Sequence, residues 1–257
     1  MNLQRFIDAK RDELDALRRC MPEPLDVRRP DFLDALSAPP REGLPLQVVA
    51  EFKRSSPSAG VINDALDPAD VARQYAEGGA SCMSVLTEER YFTGHVRDLT
   101  AAAPAGLPLL RKDFIFDELQ VRQTFATPAS AMLLIVALTP DAARLRALRE
   151  LAETQGIHAV VEVFTPGELE LARESGARII QVNARNLETF KTDRAEGLKL
   201  AAYRAEGECW IAASAMSERS HLLDAAAAGY RAALIGTALM QGVGGSPLQN
   251  LQRLKHS

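Results

Sequence analysis

Apolar residues gather along this chain in eight short runs, and most are followed by a longer stretch whose apolar positions repeat with helical spacing. The runs at 46–53 (LQVVAEFK), 82–86 (CMSVL), 107–112 (LPLLRK) and 131–136 (AMLLIV) predict strands. So do those at 158–163 (HAVVEV), 178–182 (RIIQV), 209–213 (CWIAA) and 232–236 (AALIG). The stretches between them carry helix start and stop signals. In DPADVARQYAEGG, Asp67 is placed to cap, Pro68 to fill the first turn, and Gly78-Gly79 to end the helix. TPDAARLRALRELAETQG repeats the scheme with Thr139, Pro140 and Gly156, and TPGELELARESG and SERSHLLDAAAAG follow it. Ahead of the first strand, Leu3, Phe6, Ile7, Leu14 and Leu17 form an amphipathic helical pattern. Prolines in CMPEPLDVRRPDF break it, and FLDAL predicts another short helix.

This alternation predicts an α/β chain folded as a (β/α)8 TIM barrel. One domain spans residues 1–257, with 1–45 as a helical N-terminal extension. A doubly wound open sheet competes, but it would usually show a glycine-rich first turn, and no GxGxxG follows the first strand. In a barrel, chemistry belongs at the C-terminal ends of the strands. Those ends carry Glu51 and Lys53, Thr87-Glu88, Lys112-Asp113, Glu162, Asn183 with Arg185, Ser214, and Gly236-Thr237. Strand alternation places Glu51 and Lys53 on one face and Phe52 on the other. A carboxylate and an ammonium buried side by side are costly unless they pair or do chemistry.

Composition narrows the function classes. Of 257 residues, 47% are hydrophobic and 25% charged, which fits an ordinary globular protein. The net charge of −4 argues against a dedicated nucleic-acid surface. The longest apolar run, around 131–138, is too short to span a membrane, and the N-terminus lacks a signal-peptide core. A cytoplasmic protein is therefore expected. Cys20, Cys82 and Cys209 are far apart, and the histidines are scattered without paired metal spacing, so no metal is expected. His158, leading into an apolar strand, reads as a core or strand-edge histidine. One count adds information: 30 basic residues include only six lysines, and two of those, Lys53 and Lys112, fall at strand ends. Burial can pull a lysine pKa down, so lysine can give or take a proton where arginine cannot.

In such barrels the loops after the last two strands commonly bind phosphate. Ser214, Gly236 and Thr237, with a helix starting at Thr237, suit a phosphate monoester, and SSPSAG after the first strand adds Ser56, Ser58 and Gly60. Phe92 and Phe114 stand near the same rim in a chain only 5% aromatic, where they could line a ring pocket as well as pack in the core.

The stretches AEFKRSSPSAG, SVLTEERYFTG, LLRKDFIFDELQV, LLIVALT, VEVFTPGELELA, VNARNLETF and LIGTALM resemble the indole-3-glycerol-phosphate synthase family of the tryptophan pathway, in that family's order. The resemblance implies a carboxy-lyase without cofactor or metal. Its substrate would be 1-(2-carboxyphenylamino)-1-deoxyribulose 5-phosphate, closed, decarboxylated and dehydrated to indole-3-glycerol phosphate. By motif position it implies Lys112 as general acid and Glu162 as its counterpart in the dehydration. Lys53 would bind the carboxylate or donate a proton later, positioned by Glu51. Asn183 would hold substrate hydroxyls and Arg185 would brace the site. Ser58, Ser214, Gly236 and Thr237 match phosphate positions. The family's common habit implies a monomer.

The chain also departs from the family. Ala213 and Ala215 stand in AASAM where the family usually has glutamate and glycine. ATPASAMLLI and VFTPGEL differ from its usual Gly-Ala-Asp and acidic turn. Two alternatives therefore stay open: a related phosphosugar barrel enzyme with a shifted substrate, and a non-catalytic barrel that binds a phosphorylated ligand or a partner enzyme.

Overall fold

The computed structural model describes residues 3–57, 59–185, 192–241 and 246–256. Parallel strands β1 (Gln47–Phe52), β2 (Cys82–Leu86), β3 (Leu109–Ile115), β4 (Ala131–Ile135), β5 (His158–Val163), β6 (Ile179–Asn183), β7 (Cys209–Ala213) and β8 (Ala232–Ile235) form a closed barrel in sequence order. β8 pairs back onto β1, with Val49 opposite Leu234. The TIM barrel expected from the alternation is the fold.

The period of two sorts each strand between two compartments. Val49, Leu110, Leu133, Val160, Ile179 and Ile211 fill the barrel interior. Val48, Ala50, Met83, Leu134, Val161 and Ile180 pack outward against the helices. Both faces are dry, so the strands read as continuous apolar runs.

The surrounding helices are α4 (Pro68–Gly78), α5 (Glu89–Phe92), α6 (Arg97–Ala102), α7 (Glu118–Phe125), α8 (Ala142–Glu153), α9 (Pro166–Glu174), α10 (Arg194–Leu200), α11 (Arg219–Ala227), α12 (Thr237–Met240) and α13 (Pro247–His256). Asp67 caps α4 by accepting from the Ala69 and Asp70 amides, and Gly79 ends it at φ 87°. Thr165 caps α9. For α8 the cap is Asp141 and not Thr139: Asp141 accepts from the Arg144 amide, so Pro140 lies outside the helix.

Ahead of the barrel stand α1 (Gln4–Ala9), α2 (Arg11–Arg19) and α3 (Phe32–Ser37). They cover its two ends. Phe32 and Leu36 of α3 are fully buried in the interior cluster with Cys82 and Cys209, sealing the end where the strands begin. Phe6 of α1 stacks on Phe114 at the opposite end, the mouth. The single pattern from Leu3 to Leu17 is broken at Lys10, whose ammonium is buried against Asp113 at 2.5 Å and Glu13 at 2.7 Å.

β3 runs on to Ile115, past the charged Arg111-Lys112-Asp113, because the outward charges are satisfied. Arg111 donates to Gln120 O, Thr124 Oγ1 and Gln123 Oε1, and Thr87 Oγ1 donates to Asp113. Among the described residues no helix is long and apolar enough to cross a membrane.

Candidate active site

At the end of β1, Glu51 points into the barrel and Lys53 follows on the same side, their charges 2.7 Å apart, while Phe52 packs outward. The Tyr75 hydroxyl of α4 donates to the Glu51 carbonyl at 3.0 Å and fixes the strand end. Lys112, inward on β3, brings its Nζ to 3.9 Å from the other Glu51 oxygen. Burial alone would raise the Glu51 carboxyl. Lys53, then Lys112, and the field of Arg185 overcome it and hold the group below the ordinary glutamate value. Glu51 thus sits charged between two lysines.

Gly236 makes that arrangement possible. A Cβ there would lie 3.0 Å from the Glu51 carboxyl carbon and 3.1 Å from Lys53 Nζ, and closer still to Glu51 Oε1. The glycine expected to cradle phosphate is therefore also the residue that lets the ion pair sit against the end of β8. Thr237 opens α12 directly after it.

Across the mouth, Glu162 of β5 is tied to β6. Asn183 Nδ2 donates to Oε1 at 3.0 Å, and Gln181 Nε2 donates to Oε2 at 2.5 Å. Asn183 Oδ1 accepts from the Arg185 amide at 3.0 Å and from Ser214 Oγ at 2.7 Å. Ser214 and Ala215 follow β7 at φ 68° and 55°, left-handed conformations unusual for residues with a Cβ. Ala213 pairs in register with Asn183 and is buried at the end of β7.

Phe114 stacks on Phe6 with centroids 4.2 Å apart, and Phe92 lies 6.1 Å away. One cavity is lined by all three rings and by Glu88, Lys112, Glu162 and Asn183. A second, lined by Leu3, Glu162, Glu168, Asn183 and Arg185, shares Glu162 and Asn183 with it. Glu88 is buried as the cap of α5, which raises its carboxyl although the Tyr91 and Arg90 amides donate to it.

The structure thus gathers Glu51, Lys53, Lys112, Gly236 and Arg185 around one charge cluster, and Lys112, Glu162, Asn183, Phe92 and Phe114 around one cavity. Ser214 and Thr237 stand at neighbouring strand ends. Ser58 lies outside the described residues. Several contributors escape sequence reasoning: Leu3 and Phe6 on the N-terminal segment, Tyr75 and Glu168 on helices, and Gln181 inside a strand run. Gln181 shares the inward parity of Asn183 two positions later, and that was the available signal.

A family-level sequence model described as indole-3-glycerol phosphate synthase matches residues 3–246. The chain is 39% identical over 250 residues to the indole-3-glycerol phosphate synthase of Micrococcus luteus, covering 93% of this chain and 92% of that one. It is 36% identical over 254 residues to the enzyme of that name from Halalkalibacterium halodurans, covering 98% and 96%. Among solved structures, thiamine phosphate pyrophosphorylase from Pyrococcus furiosus is similar with a TM-score of 0.58 at 14% identity, covering 83% of this chain and 95% of that one. That last likeness speaks to the barrel alone. The near full-length match to the family model and to these relatives makes this chain a member of the indole-3-glycerol phosphate synthase family.

Proposed function

We propose that this chain converts 1-(2-carboxyphenylamino)-1-deoxyribulose 5-phosphate to indole-3-glycerol phosphate as a carboxy-lyase. The observation that carries the reading is that Lys112 and Glu162 face one cavity roofed by Phe6, Phe92 and Phe114. An ammonium and a carboxylate stand across a space bounded by aromatic rings, which suits an aromatic amine with a reactive ketone.

In ring closure the aromatic carbon bonds to the ketone carbon, and the ketone oxygen takes up a proton. Lys112 supplies it as general acid. The carboxylate on the same ring carbon then leaves as carbon dioxide, its bonding electrons restoring the ring. In the dehydration a proton is removed from the substrate and the new hydroxyl leaves as water. Glu162 is the base for that removal. Lys53 holds the substrate carboxylate or protonates the departing hydroxyl, and Glu51 keeps it in place at 2.7 Å.

The Glu51 side of the mouth favours an anion. Lys53, Lys112 and Arg185 outnumber Glu51 there, which suits a substrate bearing both carboxylate and phosphate, while Glu88, Glu162 and Glu168 line the other side. The phosphate is assigned to Ser214 with the Gly236 and Thr237 amides, since the first amides of a helix lack intrahelical acceptors. Asn183 is committed to Glu162, Ser214 and the Arg185 amide, so its part is to orient Glu162 more than to hold substrate hydroxyls.

The test is a fluorescence assay for the indole product on mixing protein with the carboxyphenylamino substrate. Turnover by the wild-type chain, with Lys112→Met reduced by about 100-fold or more, supports the reading. Binding without turnover in the wild-type chain would overturn it.

A further inference from the structure

Both oxygens of Glu162 are engaged by amides of β6, and the two amides differ in one respect. Asn183 is held against turning over: its Oδ1 accepts from the Arg185 amide and from Ser214 Oγ, so inversion would break two hydrogen bonds besides its own to Glu162. Gln181 has no such anchor. Its side chain is fully buried in the barrel, its Nε2 donates to Glu162 Oε2, and its Oε1 has no hydrogen-bond partner among the described residues. A buried acceptor left bare is unusual in a folded protein and calls for a reason.

We propose that Gln181 is a positioning residue for Glu162 whose amide inverts with the proton, donating through Nε2 to the carboxylate and accepting through Oε1 from the acid. The proposal rests on the synthase reading for Glu162. When Glu162 removes a proton from the substrate, an O–H bond forms at Oε2 and the broken bond leaves its electron pair on the substrate. That oxygen is then a poorer acceptor for the Gln181 N–H, and the bare Oε1 can accept the new O–H once it turns toward β6. Each orientation leaves one amide group without a partner, so the exchange is close to balanced. Asn183 meanwhile keeps Oε1 of Glu162 as an acceptor throughout. Gln181 gains and loses no proton. With Asn183 on the other oxygen, it holds the carboxyl group in one place in both of its states.

Side-chain amide NMR of the wild-type chain without ligand tests the ground state. The expected result is a Gln181 Nε2 proton shifted strongly downfield, which is lost in Glu162→Gln, where a neutral amide replaces the carboxylate. A Gln181 signal indifferent to the residue at 162 overturns the proposal, and this readout does not depend on activity. Kinetics test the consequence. Gln181→Met keeps the length and removes both donor and acceptor, and kcat is expected to fall about ten- to a hundredfold, with KM within about twofold. Its Tm should stay near that of the wild type, because losing the donor to Glu162 and losing the bare acceptor act in opposite directions. An unchanged kcat, or a loss confined to KM, overturns the proposal. A wild-type chain that shows the NMR signature but does not turn over substrate would sink the synthase reading and leave the Gln181–Glu162 pairing standing.

Discussion

Replacing Gly236 by alanine tests how tightly the mouth is built. The new methyl carbon would stand 3.0 Å from the Glu51 carboxyl carbon and 3.1 Å from Lys53 Nζ, with Glu51 Oε1 nearer still. Glu51 is anchored in a strand, and the Tyr75 hydroxyl holds its carbonyl, so the side chain has to yield. Ordinary contact requires the carboxylate to retreat by roughly 1 Å. Opening the pair from 2.7 Å to about 3.7 Å lowers its attraction from about 6 to about 4.5 kcal/mol at an effective dielectric of about 20. Overpacking adds a stability loss of about 1–3 kcal/mol. A displacement of that size at reacting groups costs about 100-fold in rate.

Gly236→Ala is therefore expected to lower kcat/KM about 100-fold and Tm by roughly 4–10 °C. Gly167→Ala is the control: it lies in α9 with no atom near its Cβ position, and should leave both quantities nearly unchanged. A Gly236→Ala variant within about twofold of wild-type kcat/KM would refute the packing argument.

Two other positions give independent tests. Ala215 sits at φ 55°, so Ala215→Gly relieves about 1 kcal/mol of left-handed strain and should raise Tm by roughly 2–4 °C in thermal denaturation; no rise would mean that the turn is not strained. Lys10→Met leaves Asp113 buried without its closest cation and should cost about 3–5 kcal/mol in a urea titration. The sign with pH follows from Asp113, which is held down to about 2 from 3.8: burial pushes it up, but Lys10 and then Arg111 outweigh burial. A carboxyl depressed in the folded state stabilises above its unfolded pKa, and that contribution fades as pH falls from 3.8 towards about 2. Lys10→Met should flatten the loss of stability across that window, and an unaltered slope would show that Lys10 does not set the Asp113 carboxyl.

Much of the architecture was legible because strands dry on both faces leave unbroken apolar runs, and caps such as Asp67 and Thr165 act within a few residues of themselves. Parity alone brought Glu51 and Lys53 together. What stayed hidden depends on contacts between distant stretches of chain. Lys10 breaks the first helical pattern because Asp113 is its partner. Phe6 reaches the mouth because Phe114 receives its ring. Thr139 and Asp141 both suit a cap, and only the turn after β4 decides between them. Gln181 stays hidden because a polar residue within an apolar run gains meaning only from its partner, Glu162, on the neighbouring strand.

Ring closure, decarboxylation and dehydration of one substrate are all assigned to one mouth. A single-turnover experiment with enzyme in excess, following carbon dioxide release and indole fluorescence together, tests that assignment most directly. Both are expected in equal amounts, each matching the substrate consumed. Carbon dioxide without the indole product, or substrate bound and recovered unchanged, would contradict it.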